Sequence, residues 1–307
     1  MKIMVTGGAG FIGSHVADAC LAGGHDVFVV DDLSTGRKEQ IPPGAGFVEL
    51  DIRSPRMEEL FRERKPDVVI HHAAQMDVRK SVEDPANDAE INILGTLNLL
   101  QNCTAHRVRK FIFASTGGAI YGEQETFPAG EDHPVRPVSP YGVSKLSVEK
   151  YLHYYRAVNG LEHVILRYAN VYGPRQNPHG EAGVVAIFVS KMLSGMEPVI
   201  NGDGAQTRDY VYVGDVVAAN MLALALQGSG VFNIGTGIET TVNELFGVLR
   251  RLTGSACREN HGPAKKGEQS RSVIDSSLAT RVMGWAPRVT LARGLRETVD
   301  YFRAAGR

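Results

Sequence analysis

The stretch Ile3-Met4-Val5-Thr6-Gly7-Gly8-Ala9-Gly10-Phe11-Ile12-Gly13 decides the fold. A strand-like run, Ile3–Thr6, passes straight into a glycine loop, and a helical pattern follows. Glycines at 7, 10 and 13 let the backbone turn tightly and approach a pyrophosphate. The helix N-terminus then offers N–H groups and a favourable dipole to that anion. Such glycines also suit a tight turn with no ligand. Their place between a strand and a helix is what dinucleotide binding requires.

Working outward, short apolar runs recur at Val27–Val30, Gly46–Leu50, Val68–Ile70, Phe111–Ala114 and Val164–Arg167. Amphipathic stretches such as Pro55–Arg64 and Ala89–Ala105 lie between them. Continuous apolar strands alternating with helices predict an α/β fold, a doubly wound parallel sheet covered on both faces. Glycine and proline become frequent after about residue 170, as in Gly173-Pro174 and Gly202-Asp203-Gly204. The segment Asp209–Val213 is β-like, and Val231–Ile234 reads as a strand rejoining the sheet. Thr241 and Glu244 have capping-box spacing ahead of an apolar helix. The expected division is a dinucleotide-binding part over 1–170, to which 209–237 returns, and a smaller part over 171–208 and 238–307.

Bulk properties narrow the function classes. The chain has 307 residues, 43% hydrophobic, with a formal net charge of -1. That balance lacks the basic footprint of a nucleic-acid binder. Cys20, Cys103 and Cys257 are few and far apart, which suits reduced thiols. No apolar run approaches membrane-spanning length, and the first apolar segment reads as a strand rather than a signal peptide. The expectation is a soluble cytoplasmic protein. His71-His72 ends a strand with no third ligand evident, so no metal site is expected. Tyr151, Tyr154 and Tyr155 have helical spacing suited to packing or an interface.

Two acidic positions bear on cofactor choice. Asp31 ends the second strand, 18 residues past Gly13. An acid there accepts hydrogen bonds from ribose hydroxyls and repels a 2′-phosphate, which favours NAD over NADP. Asp32 is placed to share that role, and Arg37 is the counter-argument, since it is able to pair with a phosphate. Asp51-Ile52 follows the third strand, where an adenine would sit; Asp51 equally suits a loop or cap.

The chemistry is read from Ser139-Pro140-Tyr141 and Lys145. Serine and proline start a helix, and Tyr141 and Lys145 lie four apart on one of its faces. Bringing a tyrosine from ~10 to near neutrality needs on the order of 4 kcal/mol. One cation at ~4 Å supplies about that much at an effective dielectric of ~20. Strand Phe111–Ala114 ends in Ser115-Thr116-Gly117-Gly118, which puts a hydroxyl at the carboxyl end where α/β sheets hold ligands.

Taken together, these segments resemble the extended short-chain dehydrogenase/reductase family, and within it the UDP-glucose 4-epimerase branch. The likeness spans nearly the whole chain: TGGAGFIGSH, DDLSTG, HHAAQ, STGGAIYGE, SPYGVSK, RYANVYGPRQ and NGDGAQTRDYVYVGDV. It implies an extended Rossmann-type fold with a smaller C-terminal nucleotide-sugar domain. By motif it makes Thr116, Tyr141 and Lys145 the hydroxyl, base and lysine, with Ser115 the alternative hydroxyl because of the extra glycine. It assigns Gly7, Gly10, Phe11, Ile12 and Gly13 to the pyrophosphate loop, and Asp31, Ser34 and Gly36 to the adenosine side. Asp51 and Ile52 fall near adenine, Ala73, Ala74 and Gln75 beneath the dinucleotide, Asn92 on the cofactor side and Tyr168 near the nicotinamide. Asn170 and Arg208 match UDP-contacting positions; Arg208 alternatively pairs with Asp209 or Asp203. Lys265 matches a late UDP-binding stretch. Ser272 matches a position beside the sugar where a bulky tyrosine often stands. A small residue leaves room there for a 2-acetamido group, a slip of one would put Arg271 in its place, and Ser272 also suits a plain strand residue.

The implied reaction is NAD-dependent, redox-neutral epimerisation at C4 of a UDP-hexose, UDP-glucose/UDP-galactose with UDP-N-acetylglucosamine as a further substrate. A homodimer built on the Ala89–Ala105 and Tyr141–Val158 helices is implied as well. Nucleotide-sugar dehydratases and UDP-glucuronate decarboxylases carry acidic residues where this chain has Gly117-Gly118. UDP-glucuronate 4-epimerase is a rival on the same scaffold. A non-catalytic dinucleotide-sensing regulator is the rival of another class.

Overall fold

The computed structural model describes residues 1–178, 183–264 and 269–306. Seven strands make one parallel sheet: β1 (Lys2–Thr6), β2 (Asp26–Asp31), β3 (Gly46–Glu49), β4 (Val68–His71), β5 (Lys110–Thr116), β6 (Glu162–Tyr168) and β10 (Gly230–Ile234). Their order is β10-β6-β5-β4-β1-β2-β3, and every pairing is parallel. Side chains alternate along each strand, so one sheet fills two cores. Ile3, Val5, Val27 and Val29 pack against α1 (Phe11–Ala22) and α8 (Val213–Ala225) through Val16, Cys20, Val216 and Ala219. Met4, Phe28 and Val30 face the other way, onto α2 (Met57–Arg64), α5 (Thr96–Ala105) and α6 (Pro140–Asn159) through Phe61, Leu100 and Leu152. Burial on both faces is why these strands are apolar without a polar alternate. The order reverses at β1, between β4 and β2. Such a switch point opens a crevice at the carboxyl ends of the strands.

A smaller body sits beyond that crevice. Strands β7 (Asn170–Tyr172), β9 (Thr207–Tyr212) and β11 (Glu239–Thr241) form a sheet in the order β11-β9-β7, and β8 (Val199–Asn201) pairs with β12 (Asn260–Gly262). Helices α7 (Val184–Leu193), α9 (Val242–Thr253) and α11 (Leu291–Ala304) enclose a third core with Tyr172, Phe188, Tyr210, Phe246 and Phe302. The Thr241–Glu244 capping box is formed at the start of α9.

Two features depart from the sequence reading. Residues 238–307 divide between two cores. Helix α10 (Ser277–Met283) and Trp285 pack onto the main sheet beside α1 and α8, with Ala279, Met283 and Trp285 buried there. Trp285 donates its indole N–H to the Asp215 carbonyl at 2.9 Å. Scattered apolar residues reveal that they are buried, not which core they join. The expected helix Ala89–Ala105 is helical throughout, but not α-helical throughout. The chain runs through α3 (Val78–Glu83) and α4 (Pro85–Ala89), then one π-helical segment, Glu90–Gly95, before α5. A π segment in a helix is often a sign of a functional site, and this one carries Asn92.

Candidate active site

The glycine loop closes onto its neighbours too tightly for side chains. A Cβ on Gly13 would lie 2.2 Å from the Gly7 carbonyl oxygen, and one on Gly7 would lie 2.5 Å from the Ala73 amide. Helix α1 starts at Gly10 with no side chain capping it. Its first N–H groups therefore face the crevice beside a floor of bare backbone, a donor set that fits a diphosphate. Phe11 and Ile12 form the first turn of that helix. At the end of β2, the Asp31 carboxylate accepts from the Ala9 amide at 3.0 Å and the Leu33 amide at 2.9 Å. Burial raises its pKa above the usual carboxylate value. Gly36 backs onto the same carboxylate, 2.7 Å from where its Cβ would be. The Ser34 hydroxyl donates to Asp32 at 2.6 Å rather than to Asp31. Asp51 is engaged by Arg53, whose guanidinium donates to both carboxylate oxygens, and this partner holds it below the usual carboxylate range. Ile52 is buried against Gly95 of the π segment.

Ser139 caps α6 by accepting from the Gly142 amide at 3.2 Å, with Pro140 in the first turn. A Cβ on Gly142 would meet the Ala119 carbonyl oxygen at 2.7 Å. That glycine lets the start of α6 press onto the loop following β5, which brings Tyr141 to the end of that strand. Lys145 is buried, donates to the Ala114 carbonyl at 2.9 Å and lies 5.7 Å from the Tyr141 ring centre. Burial pulls the Lys145 ammonium down to about 8, against the upward pull of Asp88 and Glu149. Burial, then Asp88, raises the Tyr141 phenol above its ordinary value. The expectation was that Lys145, helped by an oxidised nicotinamide, offsets the tyrosine's cost; burial of both groups adds to that cost.

The two candidate hydroxyls separate cleanly by strand alternation. Ser115 turns into the core and donates to Glu149 at 2.6 Å, where Glu149 holds a buried ion pair with Arg167 at 2.6 Å. Arg167 also donates to the Tyr121 hydroxyl at 3.0 Å. Thr116 faces the other way. A Cβ on Gly118 would lie 3.9 Å from the Thr116 hydroxyl oxygen and 3.6 Å from the Asn170 amide oxygen, so Thr116 and Asn170 border one space.

Beneath the crevice, Ala73 lies against Gly7, and Ala74 and Gln75 continue that loop. Asn92 accepts from the Gln75 amide and donates to the Gln75 carbonyl, each at 2.9 Å. Both side chains meet Asp88, which the sequence reading missed; its only signal was helical spacing four residues before Asn92. Tyr168 is buried, and its hydroxyl accepts from Asn220 at 2.8 Å and faces His72 at 3.4 Å. His71 bonds the hydroxyls of Thr6 at 2.7 Å and Thr96 at 2.8 Å. Among the described residues no group of three His, Cys, Asp or Glu is placed to hold a metal ion.

On the far wall, Arg208 is half-buried on β9 and donates to the Thr207 carbonyl at 2.8 Å. The Asp209 carboxylate is engaged by Thr236 and Gly237. Ser272 is buried and its carbonyl accepts from the Asp209 amide at 2.9 Å, which places it alongside Arg208's strand. Arg271 is taken up by Glu239 at 2.7 Å and lies 3.8 Å over the Phe127 ring. Lys265 lies outside the described residues.

With this geometry in hand, the comparisons with known proteins are decisive. The model of the NAD dependent epimerase/dehydratase family matches residues 3–235. The chain belongs to that family. Among epimerase relatives, the UDP-glucose 4-epimerase of Mycolicibacterium smegmatis is 44% identical over 309 residues, covering 99% of both chains. The UDP-glucose 4-epimerase of Thermotoga maritima, crystallised with UDP-glucose, superposes with a TM-score of 0.98 at 50% identity, covering 100% of both chains. That of Thermus thermophilus, in complex with NAD, gives 0.95 at 47% identity, covering 99% of this chain and 100% of that one. This epimerase/dehydratase chain thus has the extended Rossmann-type fold throughout its length.

Proposed function

We propose that the protein catalyses NAD-dependent epimerisation at C4 of a UDP-hexose, with UDP-glucose and UDP-galactose as the pair interconverted. The observation that carries this is buried Lys145, which donates to the Ala114 carbonyl two residues before Thr116 and lies 5.7 Å from the Tyr141 ring centre, together with the tight glycine turn at the uncapped start of α1. The loop Gly7–Gly13, Asp31, Gly36, Gln75, Asn92 and Lys145 would hold the dinucleotide. When bound, NAD supplies the hydride acceptor and donor at C4. Tyr141 takes the C4 hydroxyl proton and later returns it. Thr116 hydrogen-bonds that hydroxyl, and Lys145 stabilises the phenolate. Asn170 and Arg208 anchor the diphosphate while the 4-keto sugar turns over.

Elimination or decarboxylation on the same scaffold is disfavoured by the loop after Thr116. A Cβ on Gly117 would strike the Ile274 side chain at 2.7 Å, and Gly118 carries no acid either. The two positions after Thr116 therefore offer no carboxylic acid to protonate a leaving group. A regulator that only senses the dinucleotide has no need of the buried Tyr141–Lys145 pair. The small Ser272 is consistent with UDP-N-acetylglucosamine as a second substrate. We also propose a homodimer. Leu94, Val143, Tyr151, Tyr154 and Val158 form exposed apolar surface on the π segment and α6, and an isologous dimer would cover it. The free thiols of Cys20, Cys103 and Cys257 are consistent with the cytoplasm, and no described helix is long and apolar enough to cross a membrane.

Incubating the protein with NAD and UDP-galactose, with products separated by chromatography, tests the reading. UDP-glucose should form, and Tyr141→Phe should lower kcat by ~10²–10⁴-fold while retaining NAD. A Tyr141→Phe rate within a few-fold of the parent would remove the tyrosine as base.

A further inference from the structure

We infer that Asp88 is a positioning residue for the catalytic pair: its carboxylate is the buried counter-charge of Lys145 and the tie between the Ala73–Gln75 loop and the helix that carries Tyr141. The inference rests on the proton-transfer reading of Tyr141 and Lys145 given above. Asp88 is completely buried at the end of α4. One oxygen accepts from Gln75 and Asn92, each at 3.0 Å, and the other from the Ser144 hydroxyl at 2.6 Å. Ser144 immediately precedes Lys145. All three partners are donors, so Asp88 acts as an acceptor-only group, as an ionised carboxylate does.

None of those partners carries charge, and a buried charge left unanswered is costly. Two carboxylates, Asp88 and Glu149, favour the charged form of Lys145, and Asp88 is bonded to Ser144, the residue next to that lysine. Glu149 is already committed to Arg167, through contacts at 2.6 and 3.0 Å. Asp88 is left to balance Lys145. The other groups facing the pair do not compete for that role. His71 at the end of β4 and His72 just after it are kept neutral by burial, with Lys145 adding to the effect. Tyr168 on β6 is a buried phenol raised above its ordinary value.

The consequence is a signature that bonding alone would not produce. Asp88 favours charged Lys145 and disfavours the Tyr141 phenolate. Removing its negative charge lowers both titrations together. The two limbs of the rate profile report the titrations of the coupled Tyr141–Lys145 pair. Both limbs should therefore move to lower pH, with no narrowing of the bell.

Asp88→Asn is the probe. Its amide oxygen serves Gln75 and Asn92, and its N–H serves a rotated Ser144 hydroxyl, so the network survives without the charge. Two measurements are made on the NAD-bound protein: the pH profile of kcat/KM, and the phenolate absorbance of Tyr141, taken as the difference from Tyr141→Phe. In Asp88→Asn both limbs and the phenolate midpoint should fall by about one unit. Ser144→Ala, which keeps the charge and loses one bond, should leave all three in place. A lower rate with unmoved limbs and midpoint would overturn the inference, as would equal shifts in Ser144→Ala. Should Asp88→Asn fail to fold, Asp88→Ser makes the same neutral substitution with space for water, and the same shifts decide. A parent protein that turns over no UDP-sugar would sink the proposed activity, whereas the phenolate titration would still judge Asp88.

Discussion

At the scale of single residues, neighbours in sequence have opposite fates. Ser115 and Thr116 are both hydroxyls at the end of β5, and sequence alone left the choice between them open. Strand alternation sends Ser115 to the buried Glu149–Arg167 pair and Thr116 to the space shared with Asn170. We predict that Ser115→Ala costs stability, about 1–3 kcal/mol for one lost buried hydrogen bond to a charged group whose oxygen keeps its Arg167 donor, with little change in kcat. Thr116→Val should do the reverse, keeping the melting temperature and lowering kcat. Thermal melts and turnover on both variants check this, and a rate loss confined to Ser115→Ala would exchange their roles. The nearness of Tyr141 and Lys145 was legible because they lie four apart on one helix, and the strand-end place of Asp31 because Val27–Val30 in β2 is an unbroken apolar run. Asp88, Glu149 and Arg167 were not, because their partners come from other elements and a lone acid or base in a helix or strand has no local mark. The pairing of Asp51 with Arg53, two residues away, was equally hidden, since a loop's geometry is not written in its composition.

At the scale of elements, the seven-stranded sheet was legible because burial on both faces leaves each strand an uninterrupted apolar run. The π segment Glu90–Gly95 was not, since its apolar residues fit an α-helical stripe nearly as well. Helix α10 and Trp285 show the same limit for tertiary assignment: pattern gave their burial, and only packing gave their core. On the proposed reading, cofactor binding depends on the glycine loop. A methyl group on Gly13 would lie 2.2 Å from the Gly7 carbonyl, so loop and helix would have to part. Gly13→Ala is therefore expected to abolish measurable NAD binding by calorimetry, with the circular dichroism of the sheet and helices largely kept. Parent-like affinity in that variant would mean that the dinucleotide does not lie on this turn.

At the scale of the whole molecule, burial of neutral histidines ties stability to pH. His72 and His163 are pulled down to about 3 and about 4 from 6.5, and His71 also well below 6.5, in each case mainly by burial. A base whose folded pKa is depressed stabilises the fold fully above its unfolded value, and that contribution fades as pH falls below it. Buried Asp31 and Asp209 and half-buried Glu131 are raised instead, an opposing trend within the carboxylate range. The melting temperature should thus begin to fall as pH drops from 7 through about 6.5 toward 5, and His163→Gln should flatten that fall. An identical slope in the variant would exclude His163 from it. On the proposed reading the main sheet would hold the dinucleotide and the proton path, and the smaller body the nucleotide, while the sugar turns between two faces. The most direct test of that reading follows one hydrogen. UDP-galactose carrying deuterium at C4 is converted by the NAD-bound protein, and the UDP-glucose product is read by NMR. The account predicts that the deuterium is retained at C4, because the same hydride leaves and returns. Replacement of that deuterium by solvent hydrogen would contradict it, since the bond would then break by proton exchange with water.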